Sequence, residues 1–85
     1  IVLDLSGLTD FVIDPVARTA EVGPALDNRT MAHKLAAHDL AFPLGHCGHV
    51  ALSGYLLGGG LGWNSERWGL GCHGITSIDA VTADC

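Results

Sequence analysis

Between Phe42 and Ser65 the chain carries no Lys, Arg, Asp or Glu, and glycine stands at positions 45, 48, 54, 58, 59, 60 and 62. Glycine in a helix interior costs ~1 kcal/mol relative to alanine, and it weakens a strand for the same entropic reason. A stretch so dense in it cannot propagate one regular element. A short helix is expected only where the glycines thin out, from Ala51 to Leu57, with positions 58–62 irregular. Without charged groups or Cβ atoms in the way, such a backbone can also lie flat against a large, planar partner.

Composition limits what that partner can be. The chain has 85 residues, 48% apolar and only 15% charged. That length allows one small domain at most, burying ~60 to 65% of the surface its unfolded chain exposes. So much interior with so little charged exterior is expected of a piece of a larger protein. Nine acidic and four basic side chains give a net charge of −5, and Arg18, Arg29, Lys34 and Arg67 are scattered along the sequence. This leaves no basic patch to neutralise a phosphate backbone, so a nucleic-acid partner is disfavoured and none is expected. Cys47, Cys72 and Cys85 are odd in number and contain no C-x-x-C, which disfavours a disulfide framework and favours a reducing, cytoplasmic setting. The start lacks a basic region followed by an apolar stretch, so targeting information is expected outside this segment. Gly54 and Gly58 form a G-x-x-x-G, the signature of packed membrane helices. The apolar core from Val50 to Trp63 is nonetheless too short to span ~30 Å of hydrocarbon. His46, His49 and Pro43 flank it, and no membrane partner is expected.

Local patterns predict an α+β arrangement: a mixed sheet, a helix and the glycine-rich loop. Ile1 to Leu5 reads as a buried strand ending at Ser6-Gly7. Phe11 to Ile13 and Arg18 to Val22 read as a hairpin turning at Asp14-Pro15 and ended by Gly23-Pro24. A helix is expected from Asp27 or Asn28 to about His38, burying Met31, Leu35 and Ala36, with Leu40 closing the end and Arg29 and Lys34 in solvent. Ile75 to Ala83 has the β-branched density of a further strand. There is no internal repeat or interdomain linker.

Cys47, between Gly45 and Gly48, is expected to have an accessible sulfur, and a thiolate can attack an electron-poor heteroaromatic carbon. The alternative is a small, buried, inert cysteine. His46, Cys47, His49, Cys72 and His73 together offer metal-ligand chemistry, and a small metal-binding module is the second functional class. Its spacing is poor, because only His46-x-x-His49 has the usual separation and adjacent ligands seldom reach one ion. No metal ligand is assigned. The glycines fit neither G-x-G-x-x-G nor a P-loop.

Gly45, Cys47, Val50, Gly54, Gly58, Gly59, Gly60 and Gly62 fall in one register, followed by Arg67-Trp68-Gly69-Leu70 and Val81-Thr82-Ala83-Asp84. This constellation resembles the covalent-flavin loop of the vanillyl-alcohol oxidase / p-cresol methylhydroxylase superfamily, G-x-C-x-x-V-G-V-x-G-x-x-x-G-G-G-x-G. It is most similar to berberine-bridge-enzyme-like FAD-linked oxidases. The resemblance implies that residues 1–85 are part of a PCMH-type FAD-binding domain. The phosphate-binding loop, with the histidine of a second flavin bond, would precede Ile1, and the substrate domain and catalytic base would follow Cys85. It further implies a 6-S-cysteinyl bond from Cys47 to FAD, which would raise the flavin potential. The backbone from Gly45 through His46 and Ala51 to Gly54 would run along the isoalloxazine edge, with Val50 on the oxygen-facing side. Gly58 to Gly60 would bring main-chain N–H groups to the cofactor. The implied reaction is oxidation of an alcohol, amine or sugar carbon by hydride transfer to the flavin, with oxygen as acceptor. The chain departs from the pattern at Ala51, at Gly48-His49, at His73 and at Cys85, where Gly, Pro-Thr, Asp and Gly are usual. A truncated, noncatalytic fragment is the third reading, and the segment alone is expected to be inactive.

Overall fold

Asp14 sets the first turn. Its carboxylate accepts the amides of Val16 and Ala17, both at 3.1 Å, while Pro15 holds its own φ and Arg18 closes the turn in the left-handed region at φ 58°. The computed structural model describes residues 1–84, and Cys85 lies outside the described residues. Strands β1 (Phe11–Asp14) and β2 (Thr19–Val22) pair antiparallel from Phe11↔Val22 to Asp14↔Thr19. The expected hairpin is therefore present. Alternation sends Phe11 and Ile13 inward and leaves Val12 exposed. Beyond β2 the amide of Gly23 donates to the Asp10 carbonyl at 2.7 Å. A Cβ on Gly23 would run into the Leu8 carbonyl, so the chain needs glycine there.

Helix α1 (Asn28–Ala36) begins at Asp27, whose carboxylate accepts the Thr30 amide at 2.7 Å. It is shorter than the sequence suggests. The amides of His38 and Leu40 both return to the Leu35 carbonyl, and Asp39 takes a left-handed φ of 59°. Met31 and Leu35 are buried with Leu26 and Leu52 and form the core. Ala36 does not join them: one residue beyond Leu35 is a rotation of about 100°, which carries it into solvent. Arg29 and Lys34 are exposed as expected. The Lys34 ammonium sits 5.4 Å from the Phe11 ring centroid and links helix to hairpin.

Thr30 hydrogen bonds, side chain first and then backbone, hold the Asp27 carboxyl below its ordinary value, with smaller help from the charges of His49 and Arg29 against a small desolvation. A carboxyl lowered in the folded state makes the unfolded chain the stronger proton binder as pH falls. Its contribution is then whole above the unfolded carboxylate range and is lost as pH drops through the folded value. Asp27→Ala should lower the melting temperature at neutral pH, and the gap from the parent protein should close on acidification below about pH 4. A gap independent of pH would contradict the capping role.

Helix α2 (Leu52–Leu57) occupies the predicted window and stops at Gly58. A single-turn α3 (Ser65–Trp68) and a 3-10 turn (Gly71–Gly74) follow. Two expectations fail. Ile1–Leu5 and Ile75–Ala83 are not strands, and the sheet among the described residues is a two-stranded antiparallel one, not mixed. Strand propensity becomes a strand only when a neighbour completes the hydrogen-bond ladder. Val2 and Val81 are 92% and 91% exposed, with no described segment beside them to supply it. The α+β class stands. Among the described residues no helix is long and apolar enough to cross a membrane.

Candidate functional site

The first amides of a helix have no intrahelical acceptor. In α1 the loop that contains Cys47 supplies them. The Asn28 amide donates to the Val50 carbonyl at 3.0 Å and the Arg29 amide to the Gly48 carbonyl at 2.9 Å. The Asn28 side chain adds a bond from Nδ2 to the Cys47 carbonyl at 3.2 Å. Asp27 and Ala51 form an isolated antiparallel bridge, and the Leu52 amide continues it to the Leu26 carbonyl at 2.8 Å. The loop is thus fixed through its main chain. Cys47, His46, His49 and Val50 are left exposed on its outer side.

Two aromatic residues brace this loop against the glycine-rich segment. The His46 ring lies on Trp63, with centroids 3.8 Å apart and planes tilted by 56°. The Tyr55 hydroxyl lies 2.6 Å from the Pro43 carbonyl and 2.9 Å from the Gly60 carbonyl, so its one proton is shared between two acceptors. Burial pushes the Tyr55 hydroxyl pKa above its already high ordinary value.

The nine residues singled out from sequence fall into three groups. His46, Cys47 and Val50 form an exposed arc, with Gly45 and Ala51 partly buried beside them. Gly54, on α2, has open space where a Cβ would stand. Gly58, Gly59 and Gly60 turn the chain after α2, and here the expected use of their N–H groups is corrected in part. The Gly58 amide donates to Gly54 and the Gly59 amide to Leu56, so both close the helix end and are not free for a ligand. Gly60, at φ 78°, is packed so tightly that a Cβ would come 2.8 Å from the Gly71 Cα. The glycine requirement here is internal crowding. Asn28, Tyr55 and Trp63 were missed, because their partners lie far away in sequence; only the placement of Tyr55 inside the glycine pattern hinted at a role.

Among the described residues no three His, Cys, Asp or Glu side chains group as metal ligands, so His46, Cys47, His49, Cys72 and His73 do not assemble around an ion. A surface hollow of about 620 Å³ is lined by Arg18, Asp39, Leu40, Pro43 and Trp68 among others and touches none of the predicted site residues. The Cys47 arc is an open face. Val50 at 42% and Trp63 at 77% exposure give it apolar surface, it contains a soft nucleophile, and the Arg29 side chain packs against Gly48 at its edge. Those features suit contact along one edge of a flat, apolar ring.

Comparison with known proteins gives a consistent result. Residues 1–85 match the family described as FAD binding domain. The chain is 36% identical over 84 residues to the FAD-linked oxidoreductase nodO of Hypoxylon pulicicidum, covering 99% of this chain and 19% of that protein. It is 30% identical over 84 residues to the FAD-dependent monooxygenase sdcF of Emericella nidulans, covering 99% of this chain and 18% of the relative. It is also 30% identical over 86 residues to berberine bridge enzyme-like 24 of Arabidopsis thaliana, covering 99% and 16%. The chain therefore spans less than a fifth of the length of these relatives.

Proposed function

The chain belongs to the FAD-binding-domain family, and from that membership we propose that it forms the flavin-edge portion of a larger FAD-linked oxidoreductase, with Cys47 as the covalent anchor. The observation that carries this reading is the exposed Cys47 on a loop whose backbone is tied down on its inner side. A nucleophile that must meet one ring carbon gains from a fixed main chain and a free sulfur. Attachment forms a bond from the Cys47 Sγ to flavin C6. Such a bond would release the thiol proton, the C6 proton and one electron pair, and oxygen would be the two-electron acceptor, leaving as hydrogen peroxide. Once bound, FAD supplies the hydride-accepting chemistry for an alcohol, amine or sugar carbon.

This chain's own residues contribute positioning. Val50 lies on the exposed arc and would border the oxygen-facing side of the ring. Gly54 leaves room for close approach of the ring. The N–H groups of Gly58 and Gly59 are already engaged, so the triple glycine acts by shaping the turn. The phosphate-binding loop, substrate domain and base belong to other parts of the protein, and residues 1–85 are expected to be inactive alone. Large exposed apolar side chains at Val2, Leu57, Trp63 and Val81 fit a piece that packs against such parts.

The test is the mass of the tryptic peptide 35–67, cut after Lys34 and Arg67, from full-length protein purified under denaturing conditions. The expected result is a peptide carrying the mass of the flavin. An unmodified peptide, with the yellow colour lost on denaturation, would refute the anchor while keeping a noncovalent flavoprotein.

A further inference from the structure

We infer that Asn28 is the positioning residue of Cys47, an inference that rests on the reading of Cys47 as the flavin anchor. Asn28 holds the loop at two points. Its side-chain Nδ2 grips the Cys47 carbonyl at 3.2 Å across 19 residues of sequence, and its main-chain amide grips the Val50 carbonyl at 3.0 Å. These bonds bracket Gly48 and His49. They fix the backbone on both sides of the bend from which the sulfur is offered.

The cost of this arrangement is visible. Asn28 is only 2% exposed, and its Oδ1 is buried without a hydrogen-bond partner. A buried carbonyl oxygen left unpaired is destabilising, and an apolar side chain at the same place would avoid it. Exchanging Oδ1 and Nδ2 gives no relief, because it would set two oxygens against each other at the Cys47 carbonyl. Helix capping does not explain the residue either, since Asp27 already caps α1. What Asn28 supplies is the grip on Cys47. Gly45 makes room for it: a Cβ there would stand 3.0 Å from the Asn28 Nδ2 and 3.0 Å from the Tyr55 ring.

The test uses full-length protein carrying Asn28→Asp or Asn28→Leu. The first keeps the shape and, ionised, has no proton to donate; the second removes the unpaired oxygen together with the donor. Flavin-free protein is mixed with FAD, and the rate of flavin attachment to peptide 35–67 is normalised to protein that has bound FAD noncovalently. Deuterium uptake across residues 44–52 and the melting temperature are followed in parallel. Both variants should attach flavin about fivefold to tenfold more slowly, the factor expected for loss of one part-buried hydrogen bond. Uptake across 44–52 should rise by a similar factor, while Asn28→Leu melts close to the parent because it also removes the unpaired oxygen. A merely structural Asn28 would change melting and leave the normalised rate alone, and that outcome overturns the inference. If the parent protein attaches no flavin at residue 47, the anchor reading fails separately, and the positioning role is then decided by uptake: faster exchange in both variants supports it and unchanged exchange overturns it.

Discussion

Cys47→Ala in the full-length protein is expected to leave peptide 35–67 entirely at its unmodified mass while the protein melts where the parent does. Both halves follow from how the loop is built. The bonds that shape it use the carbonyls of Cys47, Gly48 and Val50 and the amides and side chain of residues 28 and 29, and none of them uses sulfur. Cys47 is exposed, so losing the Sγ opens no cavity, and an exposed substitution of this kind changes stability by no more than about 0.5 kcal/mol. Any flavin bond made elsewhere in the protein should survive. Flavin found on the same peptide in the variant would move the attachment to another nucleophile within it, such as His38, His46 or His49, and would sink the role given to Cys47.

The second large effect is expected deeper down. Leu52 is 1% exposed and packs with Leu26, Met31 and Leu35. Leu52→Ala should cost about 2 to 5 kcal/mol, the transfer free energy of the lost methyl groups plus the cavity they leave. The site of that cavity matters as much as its size. Leu52 opens α2 directly after the Asp27↔Ala51 bridge, and its amide donates to the Leu26 carbonyl. The core therefore underlies the Cys47 loop, and flavin attachment should fall together with stability in this variant, in contrast to Asn28→Leu. Urea unfolding of the full-length protein measures the first quantity and peptide mass the second. A loss under about 1 kcal/mol would mean that segments outside residues 1–84 carry the stability of this region.

What could be read from the residues alone follows the range of the forces involved. Asp14-Pro15 makes its turn with atoms two and three residues away, and Asp27 caps its helix within one turn, so the hairpin and α1 are written locally. Leu52–Leu57 was legible because the glycines on either side leave no other place for a helix. Ile1–Leu5 and Ile75–Ala83 misled because a strand is a property of two segments, and β-branched residues state only a readiness to pair. The site shows the same division. The exposure of Cys47 could be read from its glycine neighbours, whereas Asn28 and Tyr55 act across 19 and 12 residues and look like an ordinary helix start and an ordinary apolar ring until the fold is known. Gly60 belongs to the run expected to meet the cofactor and Gly62 only to the family register, and both positions need glycine in this fold. The reason is a neighbouring backbone: a Cβ on Gly62 would land on the Leu44 carbonyl.

The bridge between residues 24–29 and 47–53 also sets an order of events. Each of its bonds closes a loop of roughly twenty residues or more, which costs chain entropy that only a formed α1 and a collapsed core can offset. The cysteine is consequently presented last, after hairpin and helix are in place. Under the proposed chemistry a chain bearing flavin on Cys47 has already completed this region, so flavin retained on peptide 35–67 records that the loop has matured, and chains that stall earlier stay unmarked there.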